Sequence, residues 1–300
     1  MDLSIIIPHY KTLKLTEGCV ESIFKYTKGL DFEVIVVDNA SNDGSGGYLK
    51  KKFSKIKVIE NKKNLGFGEA CNIGASKAEG EYLCLLNSDI LLKENIFPEA
   101  LLYFSKNIKL GILAPRLVSE NGSIQYSGGS FPSLSNIFFW SFFIDDLPFF
   151  KKSPNAYHME DKSFYQRQKY FDWLQAACWV MPKKIYQKLA GFNSKYFMYV
   201  EDIDFCYRLS LAGYHVLLAP GLKVLHLQKG KASEESIKGE YRGLWLFFKT
   251  YRPGFGLVLL KFLLMANAFF RYFIFGILLV NAKRKKDYFQ ALGRIAKFRA

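Results

Sequence analysis

The sequence predicts an α/β fold with a mostly parallel, Rossmann-like sheet flanked by helices. Short β-branched runs alternate with helical segments over about the first 90 residues, which is typical of a doubly wound sheet. Polar residues follow three of the predicted strands. Half of the 300 residues are hydrophobic, so the chain can bury a sizeable core and is not expected to be disordered.

The predicted strands and helices of this first part alternate regularly. Four buried runs are expected as strands: Leu3–Pro8, Phe32–Val37, Ile56–Glu60 and Tyr82–Leu86. Helices are expected between them, at Thr12–Tyr26, at residues 48–54, and from a turn at Asn64–Gly68 to about Ala78. This order predicts parallel strands joined by crossover helices.

Polar side chains occur where three of the four strands end. They are His9 and Tyr10 after the first strand, Asp38 and Asn39 after the second, and Asn87 and Asp89 after the fourth. Ligands of open parallel sheets bind beyond the carboxyl ends of the strands. We therefore expect these side chains to line a ligand site.

The sequence after residue 110 is less regular. Residues 111–130 predict strand and hairpin structure with a turn at Asn121-Gly122. Residues 131–171 are aromatic up to Phe150 and polar afterwards, without a clean period, and long loops of this kind are often functional. Further predicted elements are a strand at Gln175–Met181, a short helix at Lys184–Ala190 and a strand at Val216–His226.

Three acidic residues, Glu201, Asp202 and Asp204, occur within four positions and are framed by aromatic and apolar residues. Carboxylates in apolar surroundings are costly unless they are paired or used in function. Alternatively, a helix begins here and collects acids that suit its dipole. This segment alone leaves both explanations open.

The C-terminal segment Phe255–Ala282 is strongly apolar but contains four polar residues, Lys261, Asn267, Arg271 and Asn281. At ~100° per residue, these four fall within an arc of about 160°. The longest charge-free stretch, Tyr272–Ala282, is shorter than the ~18 residues expected of a transmembrane helix. The pattern predicts an amphipathic helix in a membrane interface, with a pair of core-packing helices as the alternative.

The formal net charge of +15 and the pI near 9.4 indicate an anionic partner. A basic cluster at the C-terminal end would favour anionic lipid headgroups. Its members are Lys283, Arg284, Lys285, Lys286, Arg294, Lys297 and Arg299. A second cluster between Lys50 and Lys63 is interpreted as a solvated face. No motif that reads DNA or RNA accompanies either cluster, so no nucleic-acid partner is expected.

The five cysteines are odd in number and include no CxxC pair. They are expected to be reduced core thiols of a cytosolic protein, not disulfides or zinc ligands. Met1-Asp2 leads directly into a predicted strand, so no signal peptide is expected.

Six segments, in this order, resemble the family 2 glycosyltransferases with the GT-A fold, and among them the bacterial rhamnosyltransferase-type enzymes of cell-surface polysaccharide synthesis. They are SIIIPHY (4–10), VIVVDNASNDGS (34–45), NLGFGEACNIGA (64–75), LLNSD (85–89), AGFNSKYFMYVEDIDFCYRLSLAGY (190–214) and VLHLQKG (224–230). The resemblance implies a catalytic domain at 1–230, with a nucleotide-sugar half at about 1–110 and an acceptor half at about 111–230. It also implies a helical tail at 231–300 that holds the protein peripherally on the cytoplasmic face of the membrane.

The resemblance implies a nucleotide site at the strand ends. Asp38 would accept the N3–H of a pyrimidine base, since a carboxylate is acceptor-only; capping the next element is its alternative role. Pro8, His9, Tyr10 and Asn39 would line the same pocket.

Asn64, Gly66 and Asn72 would lie beside the nucleotide and the donor sugar, with Gly66 permitting close backbone approach. A helix cap and a packing glycine are the alternative for Asn64 and Gly66.

The segment Asn87-Ser88-Asp89 occupies the place of the family's metal-binding DxD motif, with Asn where the first acid usually stands. Asn87 and Ser88 are therefore assigned to the donor site. Asp89 and His226 would ligate Mn²⁺ or Mg²⁺ together with diphosphate oxygens, although a histidine after an apolar strand is often simply buried.

Asp202 matches the family's catalytic base, which deprotonates the acceptor hydroxyl as it attacks the anomeric carbon. Glu201 would contact the acceptor or orient the base, and Asp204 would pair with Arg208 four residues later. Trp173 is either a platform for an acceptor sugar or a core tryptophan. At position 176, alanine stands where relatives usually have glycine, which would narrow the pocket slightly or shift the backbone.

Together these features predict an inverting, metal-dependent glycosyltransferase. It would move a sugar, with rhamnose as the leading candidate, from a dTDP- or UDP-sugar to a lipid-linked saccharide or polysaccharide. One alternative is a nucleotidyltransferase, which would need a Gly-rich phosphate loop where this chain has Pro8-His9-Tyr10-Lys11. The other is a non-catalytic, membrane-bound scaffold of the same fold.

Overall fold

The computed structural model of the protein describes residues 1–227, 234–275 and 282–298. Four parallel strands form one half of its central sheet, as the sequence predicts. They are β1 (Leu3–His9), β2 (Phe32–Asp38), β3 (Ile56–Glu60) and β4 (Tyr82–Leu86), in the order β3-β2-β1-β4. The register pairs His9 with Asp38 and Asp38 with Glu60, so these strand ends meet at one edge.

Helices cover this half of the sheet on both faces, because its apolar side chains are buried on both sides. The crossover helices are α1 (Leu13–Tyr26), α2 (Ser45–Lys52) and α3 (Phe67–Lys77). A short strand, β5 (Ile90–Leu91), and a helix, α4 (Phe97–Lys106), follow, and neither was predicted. α4 buries Phe97, Ala100 and Phe104 at helical spacing against the core.

The second half of the sheet is mixed. β6 (Leu110–Val118) pairs in parallel with β11 (His215–His226), and β10 (Cys178–Pro182) lies antiparallel between β4 and β6. β5 and β8 (Lys169–Phe171) both pair antiparallel with β11. Two short strands, β7 (Gly128–Gly129) and β9 (Trp173–Leu174), pair separately. The helices of this half include α6 (Lys183–Lys188) and α7 (Glu201–Leu211).

The strand predicted at Gln175–Met181 begins only at Cys178. The backbone just before Cys178 bonds outside the central sheet, since the N–H of Gln175 donates to the carbonyl of Ser127 at 2.6 Å. The start of the predicted strand was therefore wrong by three residues.

The long aromatic loop predicted at residues 131–171 contains a helix, α5 (Leu134–Ser141). Ser133 accepts from the N–H of Asn136, and the Asn136 side chain accepts from the N–H of Ser133. This reciprocal capping box starts the helix although its apolar residues show no clean period. A short 3-10 helix follows at Lys162–Tyr165.

The C-terminal segment forms three helices, α8 (Glu234–Tyr251), α9 (Phe255–Phe273) and α10 (Ala282–Ala296). α8 shares a hydrophobic cluster with α7; its buried members are Ile237, Tyr241, Leu244, Trp245, Phe247 and Phe248. This helix is thus integrated with the part of the chain assigned to the catalytic domain, and the boundary expected near residue 230 stays a prediction.

The amphipathic pattern of α9 is oriented with its polar residues towards the protein. Lys261 Nζ donates to the carbonyls of Ala296 and Phe298 at 3.1 and 2.9 Å. Asn267 is fully buried and accepts from the Tyr241 hydroxyl, while Asn281 and Arg299 lie outside the described residues. Apolar side chains occupy the exposed face: Phe255, Val258, Leu259, Phe262, Phe269, Phe270 and Phe273.

Among the described residues, α9 is long and apolar enough to cross a membrane, judged by its length and composition alone. Its exposed apolar face is also suited to a membrane interface.

Candidate active site

Asp38 lies at the end of β2 and is largely buried. Its Oδ1 accepts a hydrogen bond from the N–H of Ser41 at 3.0 Å, which forms a turn after the strand. Within the described part of the chain, Oδ2 makes no hydrogen bond. One oxygen of Asp38 therefore closes the turn and the other stays available as an acceptor.

His9 is fully buried behind this strand edge. Its Nδ1 lies 2.8 Å from Thr16 Oγ1 and its Nε2 lies 2.7 Å from Ser45 Oγ. Burial lowers the pKa of His9, against the opposing effect of nearby Asp38. The ring thus ties α1 to α2, and both of its nitrogens are already used. Its neighbour Tyr10 is 43% exposed at the same edge, whereas Pro8 is half-buried within β1.

Asn39, Asn64 and Gly66 form a network between β2 and α3. Asn39 Nδ2 donates to Asn64 Oδ1 at 2.9 Å and to the carbonyl of Gly66 at 3.0 Å. Gly66 has a φ of 85°, and a Cβ there would lie 1.9 Å from the carbonyl oxygen of Phe197. The close backbone approach that this glycine permits is therefore to the segment before α7.

Asn72 connects α3 to the turn after α6. Its Oδ1 accepts from the Tyr186 hydroxyl at 2.6 Å and the N–H of Phe192 at 2.9 Å, and its Nδ2 donates to the Phe192 carbonyl at 2.9 Å. Nδ2 also donates to Glu69 Oε2 at 3.0 Å. With four bonds inside the protein, Asn72 positions α3, and a direct contact with the donor stays a prediction.

The segment Asn87-Ser88-Asp89 continues β4 at the same edge. The N–H of Asn87 donates to the carbonyl of Ala177 at 2.9 Å, and Ser88 Oγ lies 3.1 Å from Thr12 Oγ1. Asp89 Oδ1 lies 3.4 Å from His226 Nε2, although 136 positions separate them along the chain. The fold therefore brings together the two residues assigned to a metal.

Gln125 fixes the orientation of His226, and sequence analysis missed it. Gln125 Nε2 donates to the backbone carbonyl of His226 at 2.9 Å, so its Oε1 must be the atom 2.7 Å from His226 Nδ1. A carbonyl oxygen can only accept, so Nδ1 carries a proton, and Nε2, which faces Asp89, is the ring nitrogen that could bind a metal ion. An isolated glutamine in a hairpin gives no sequence signal for this role.

Asp89 and His226 fit a divalent cation. A carboxylate oxygen and an unprotonated imidazole nitrogen suit Mn²⁺ or Mg²⁺ when diphosphate oxygens complete the ligand set. Among the described residues, no cluster of three His, Cys, Asp or Glu side chains is placed to hold a metal. Within the described residues, Asp89 and His226 would therefore be the side chains that hold the metal, together with oxygens of the donor diphosphate.

A strained turn presents the acidic residues at the start of α7. Tyr199 and Val200 have consecutive φ values of 71° and 69°, in the left-handed region that β-branched residues rarely adopt. α8 packs against this turn through two glycines. A Cβ on Gly239 would lie 2.6 Å from Tyr199 Cδ2, and one on Gly243 would lie 2.6 Å from Val200 Cβ.

The two adjacent carboxyl groups, Glu201 and Asp202, differ in environment. Glu201 is 5% exposed, lies beside α3, and has no hydrogen-bond partner for Oε2 within the described residues. Burial and neighbouring Asp202 raise the pKa of Glu201 to about 8. Burial also raises the pKa of Asp202, to about 6, but the backbone amides of Ile203 and Ala176 favour its ionised form. Burial and mutual proximity therefore favour a proton shared within this pair, and the backbone amides favour the negative charge on Asp202.

Residues 176–177 connect the acidic turn to the end of β4. The amide of Ala176 faces the Asp202 carboxylate, and the carbonyl of Ala177 accepts from Asn87. Two successive residues thus contact Asp202 on one side and the segment before Asp89 on the other. This backbone connection links the expected base to the segment that bears an expected metal ligand.

Asp204 and Trp173 are both buried. Asp204 Oδ2 accepts from Arg208 Nε at 2.9 Å, as predicted, and Oδ1 accepts from the Tyr251 hydroxyl at 2.8 Å. Trp173 is 5% exposed, and its indole N–H donates to the carbonyl of Ser130 at 3.0 Å. In this conformation Trp173 belongs to the core, and its stacking on an acceptor sugar stays a prediction.

A partly exposed pair of ionisable side chains that was not predicted lies next to Trp173. His158, from the aromatic loop, has its Nε2 3.1 Å from Glu240 Oε1 of α8, and its ring lies 5.5 Å from that of Trp173. Glu240 raises the pKa of His158, although burial opposes this. The charge of His158 in turn favours ionised Asp202, so α8 contributes to the electrostatics of the site.

Known proteins are similar to this chain in sequence and in fold. The model of glycosyl transferase family 2 matches residues 4–174, more than half of the chain. The N-acetylglucosaminyl-diphospho-decaprenol L-rhamnosyltransferase of Mycobacterium tuberculosis is 24% identical over 237 residues, which cover 74% of this chain and 76% of that protein.

Two solved structures resemble the whole chain. S. aureus TarS 1–349 in complex with UDP has a TM-score of 0.54 at 17% identity, covering 98% of this chain and 82% of that one. The mannosyltransferase PcManGT from Pyrobaculum calidifontis, in complex with GDP-Man and Mn²⁺, has a TM-score of 0.55 at 16% identity, covering 99% and 76%. At these identities the likeness establishes the fold.

The match to the family model and the relatives agree with the six sequence segments and with the observed sheet. They favour glycosyl transfer over nucleotidyl transfer and over a non-catalytic scaffold. The chain belongs to glycosyl transferase family 2 and is a glycosyltransferase with the GT-A fold.

Proposed function

We propose that this enzyme transfers a sugar, with inversion and with a divalent metal, from a nucleoside-diphosphate donor to a lipid-linked saccharide or polysaccharide. The observation that carries the proposal is the position of the Asp202 carboxyl group. It contacts the amide of Ala176, and the next residue, Ala177, bonds to the segment that bears Asp89. A base and a diphosphate-binding segment on one site are what a direct displacement requires.

In the proposed reaction, Asp38 binds the pyrimidine base and Asp202 accepts the proton of the acceptor hydroxyl. The hydroxyl oxygen bonds to the anomeric carbon as the bond from that carbon to the diphosphate oxygen breaks, and the diphosphate leaves with the bonding electrons. Asp89 and His226 would hold the metal, which when bound stabilises the charge that develops on the diphosphate. Glu201 lies beside the base, and its raised pKa limits the negative charge of the pair.

The donor and acceptor are proposed from the relatives. The name of the mycobacterial relative describes transfer of L-rhamnose to a lipid-linked sugar diphosphate, which supports rhamnose from a dTDP- or UDP-sugar as the first choice here. The outward apolar face of α9 supports peripheral binding to an anionic membrane. The cytoplasmic face is proposed because nucleotide sugars and reduced thiols are found there.

The test combines donor binding with product analysis. Thermal shifts with UDP, dTDP, GDP and their sugars, each with and without Mn²⁺, should show a metal-dependent rise in Tm for one pyrimidine nucleotide. The matching sugar nucleotide should then be transferred to a lipid-linked acceptor with an anomeric configuration opposite to that of the donor. Retention of configuration, or full activity in EDTA, would contradict the proposed mechanism.

A further inference from the structure

A cleft between α8 and α10 brings three cationic side chains together. Lys238 and Arg242 from α8 and Arg294 from α10 line it, with Tyr241, Ala291, Ile295 and Phe298. Its cavity volume is about 40 Å³, far below the ~300–1,000 Å³ of pockets that bury a drug-sized ligand. The cleft is therefore suited to a small anionic group and not to a whole nucleotide sugar.

The arrangement of charge in the cleft favours an anion. Lys238 and Arg242 are four residues apart on one helix, a spacing at which like charges repel. The Lys238 side chain is only 6% exposed, and its burial together with Arg294 lowers the pKa of Lys238. An anion between these groups would relieve this repulsion.

The polar neighbours of the cleft do not pair with its arginines. Lys238 Nζ donates to Gln290 Oε1 at 3.0 Å and lies 3.6 Å from Glu235 Oε1; buried Asp287 also favours the charge of Lys238. Across residues 1–227, 234–275 and 282–298, Arg242 and Arg294 make no ion pair and no side-chain hydrogen bond. Their guanidinium groups offer N–H donors in a geometry that matches phosphate oxygens.

The cleft adjoins the helix whose apolar face is exposed. Lys261 of α9 donates to the carbonyls of Ala296 and Phe298, so the end of α10 that lines the cleft is tied to α9. The next residue, Phe262, is 65% exposed. Acyl chains attached to a phosphate in the cleft would therefore have an apolar surface close by.

We propose that Lys238, Arg242 and Arg294 form a phosphate-binding site for the headgroup of an anionic lipid. The buried lysine supplies a point charge at the base of the cleft, and the two exposed arginines supply bidentate donors at its mouth. The site rests on the proposed membrane association and gives it a defined lipid contact. Inorganic phosphate has the same chemistry, so the experiment separates the two sources.

The first arm measures binding of the full chain to vesicles of phosphatidylcholine with or without phosphatidylglycerol, by co-sedimentation. R242Q/R294Q is compared with K249Q/K297Q, which removes the same charge from exposed positions on or just after the same helices. On the mixed vesicles, R242Q/R294Q should bind about tenfold more weakly than the control variant. On vesicles of pure phosphatidylcholine, the parent and both double variants should bind with equal affinity, through the apolar face of α9.

The second arm measures Tm in inorganic phosphate and in chloride at equal ionic strength. One outcome is a phosphate-specific rise in Tm that the parent shows and R242Q/R294Q lacks, while the two proteins bind vesicles equally. That outcome would support a phosphate site and overturn the lipid as its ligand. If both double variants behave alike in both arms, the site is overturned. UDP or dTDP should shift the Tm of R242Q/R294Q as in the parent, which separates failure at the cleft from failure of donor binding.

Discussion

Replacing Gln125 tests whether this side chain holds His226 with Nε2 free to bind a metal. Gln125 has two separable roles, because Oε1 accepts from His226 Nδ1 at 2.7 Å while Nε2 donates to the His226 carbonyl at 2.9 Å and to Ser119 Oγ at 3.0 Å. Gln125→Met keeps the approximate shape of the side chain and removes both roles. Gln125→Glu keeps the acceptor and removes only the donor.

The structure sets the size of each effect. Gln125→Met leaves two buried polar groups of His226 without partners, at about 1–3 kcal/mol each, or about 2–6 kcal/mol of folding stability. Because the imidazole is no longer held in one tautomer, metal affinity should fall about 10–100-fold. Gln125→Glu should also destabilise the fold, since a carboxylate replaces the donor opposite a carbonyl, but it should retain metal affinity.

The assay is titration of Mn²⁺ in the presence of UDP or dTDP, followed by the loss of the free-ion EPR signal, with urea denaturation in parallel. Asp89→Ala serves as the control that loses a proposed ligand, and Ser119→Ala as the control that loses only one partner of Nε2. If Gln125→Met binds Mn²⁺ as tightly as the parent, or Gln125→Glu as weakly as Gln125→Met, the argument about the tautomer is refuted.

Three other changes probe the acidic turn. Asp202→Asn should abolish transfer, because an amide cannot take the acceptor proton, while nucleotide binding measured by thermal shift persists; an active variant would rule out Asp202 as the base. Folding raises the pKa of Glu201 from its usual value near 4.5 to about 8, so the folded state binds more protons in that window and stability falls as pH rises. Glu201→Gln should flatten this decline in Tm, and an unchanged slope would count against a buried, protonated Glu201. Gly243→Ala should lower folding stability by about 1–3 kcal/mol, because the new methyl group would clash with Val200. Its control, Gly293→Ala, has open space around it and should raise folding stability by up to about 1 kcal/mol. Equal urea midpoints for the two variants would contradict this reasoning.

The parallel half of the central sheet, β1–β4, could be predicted because its signals are local. β3 and β4 have the predicted bounds, and β1 and β2 each extend one residue further. Buried β-branched runs and intervening helices specify parallel strands, and parallel strands place their carboxyl ends at one edge. The position of Asp38 at that edge therefore followed from sequence.

The partners of the polar residues could not be predicted in the same way. His9 and Asn72 were assigned to the donor, but their hydrogen-bonding atoms are bonded to α1, α2, α3 and the turn after α6. A polar residue in a motif has the same sequence signature whether it binds a ligand or a neighbouring backbone. Only the packed structure shows which contacts form.

The sequence by itself predicted β1–β4 as parallel strands with polar residues at the ends of three of them, because short-range patterns specify these features. The order β3-β2-β1-β4 came from the packed structure. The tertiary structure decided the pairing of Gln125 with His226, which are 101 residues apart. It also decided the orientation of α9: periodicity shows which residues share a face, but not which face is buried. The polar face of α9 turns inwards because α8 offers a hydroxyl to Asn267 and the C-terminal end of α10 offers backbone carbonyls to Lys261, which leaves the apolar face exposed.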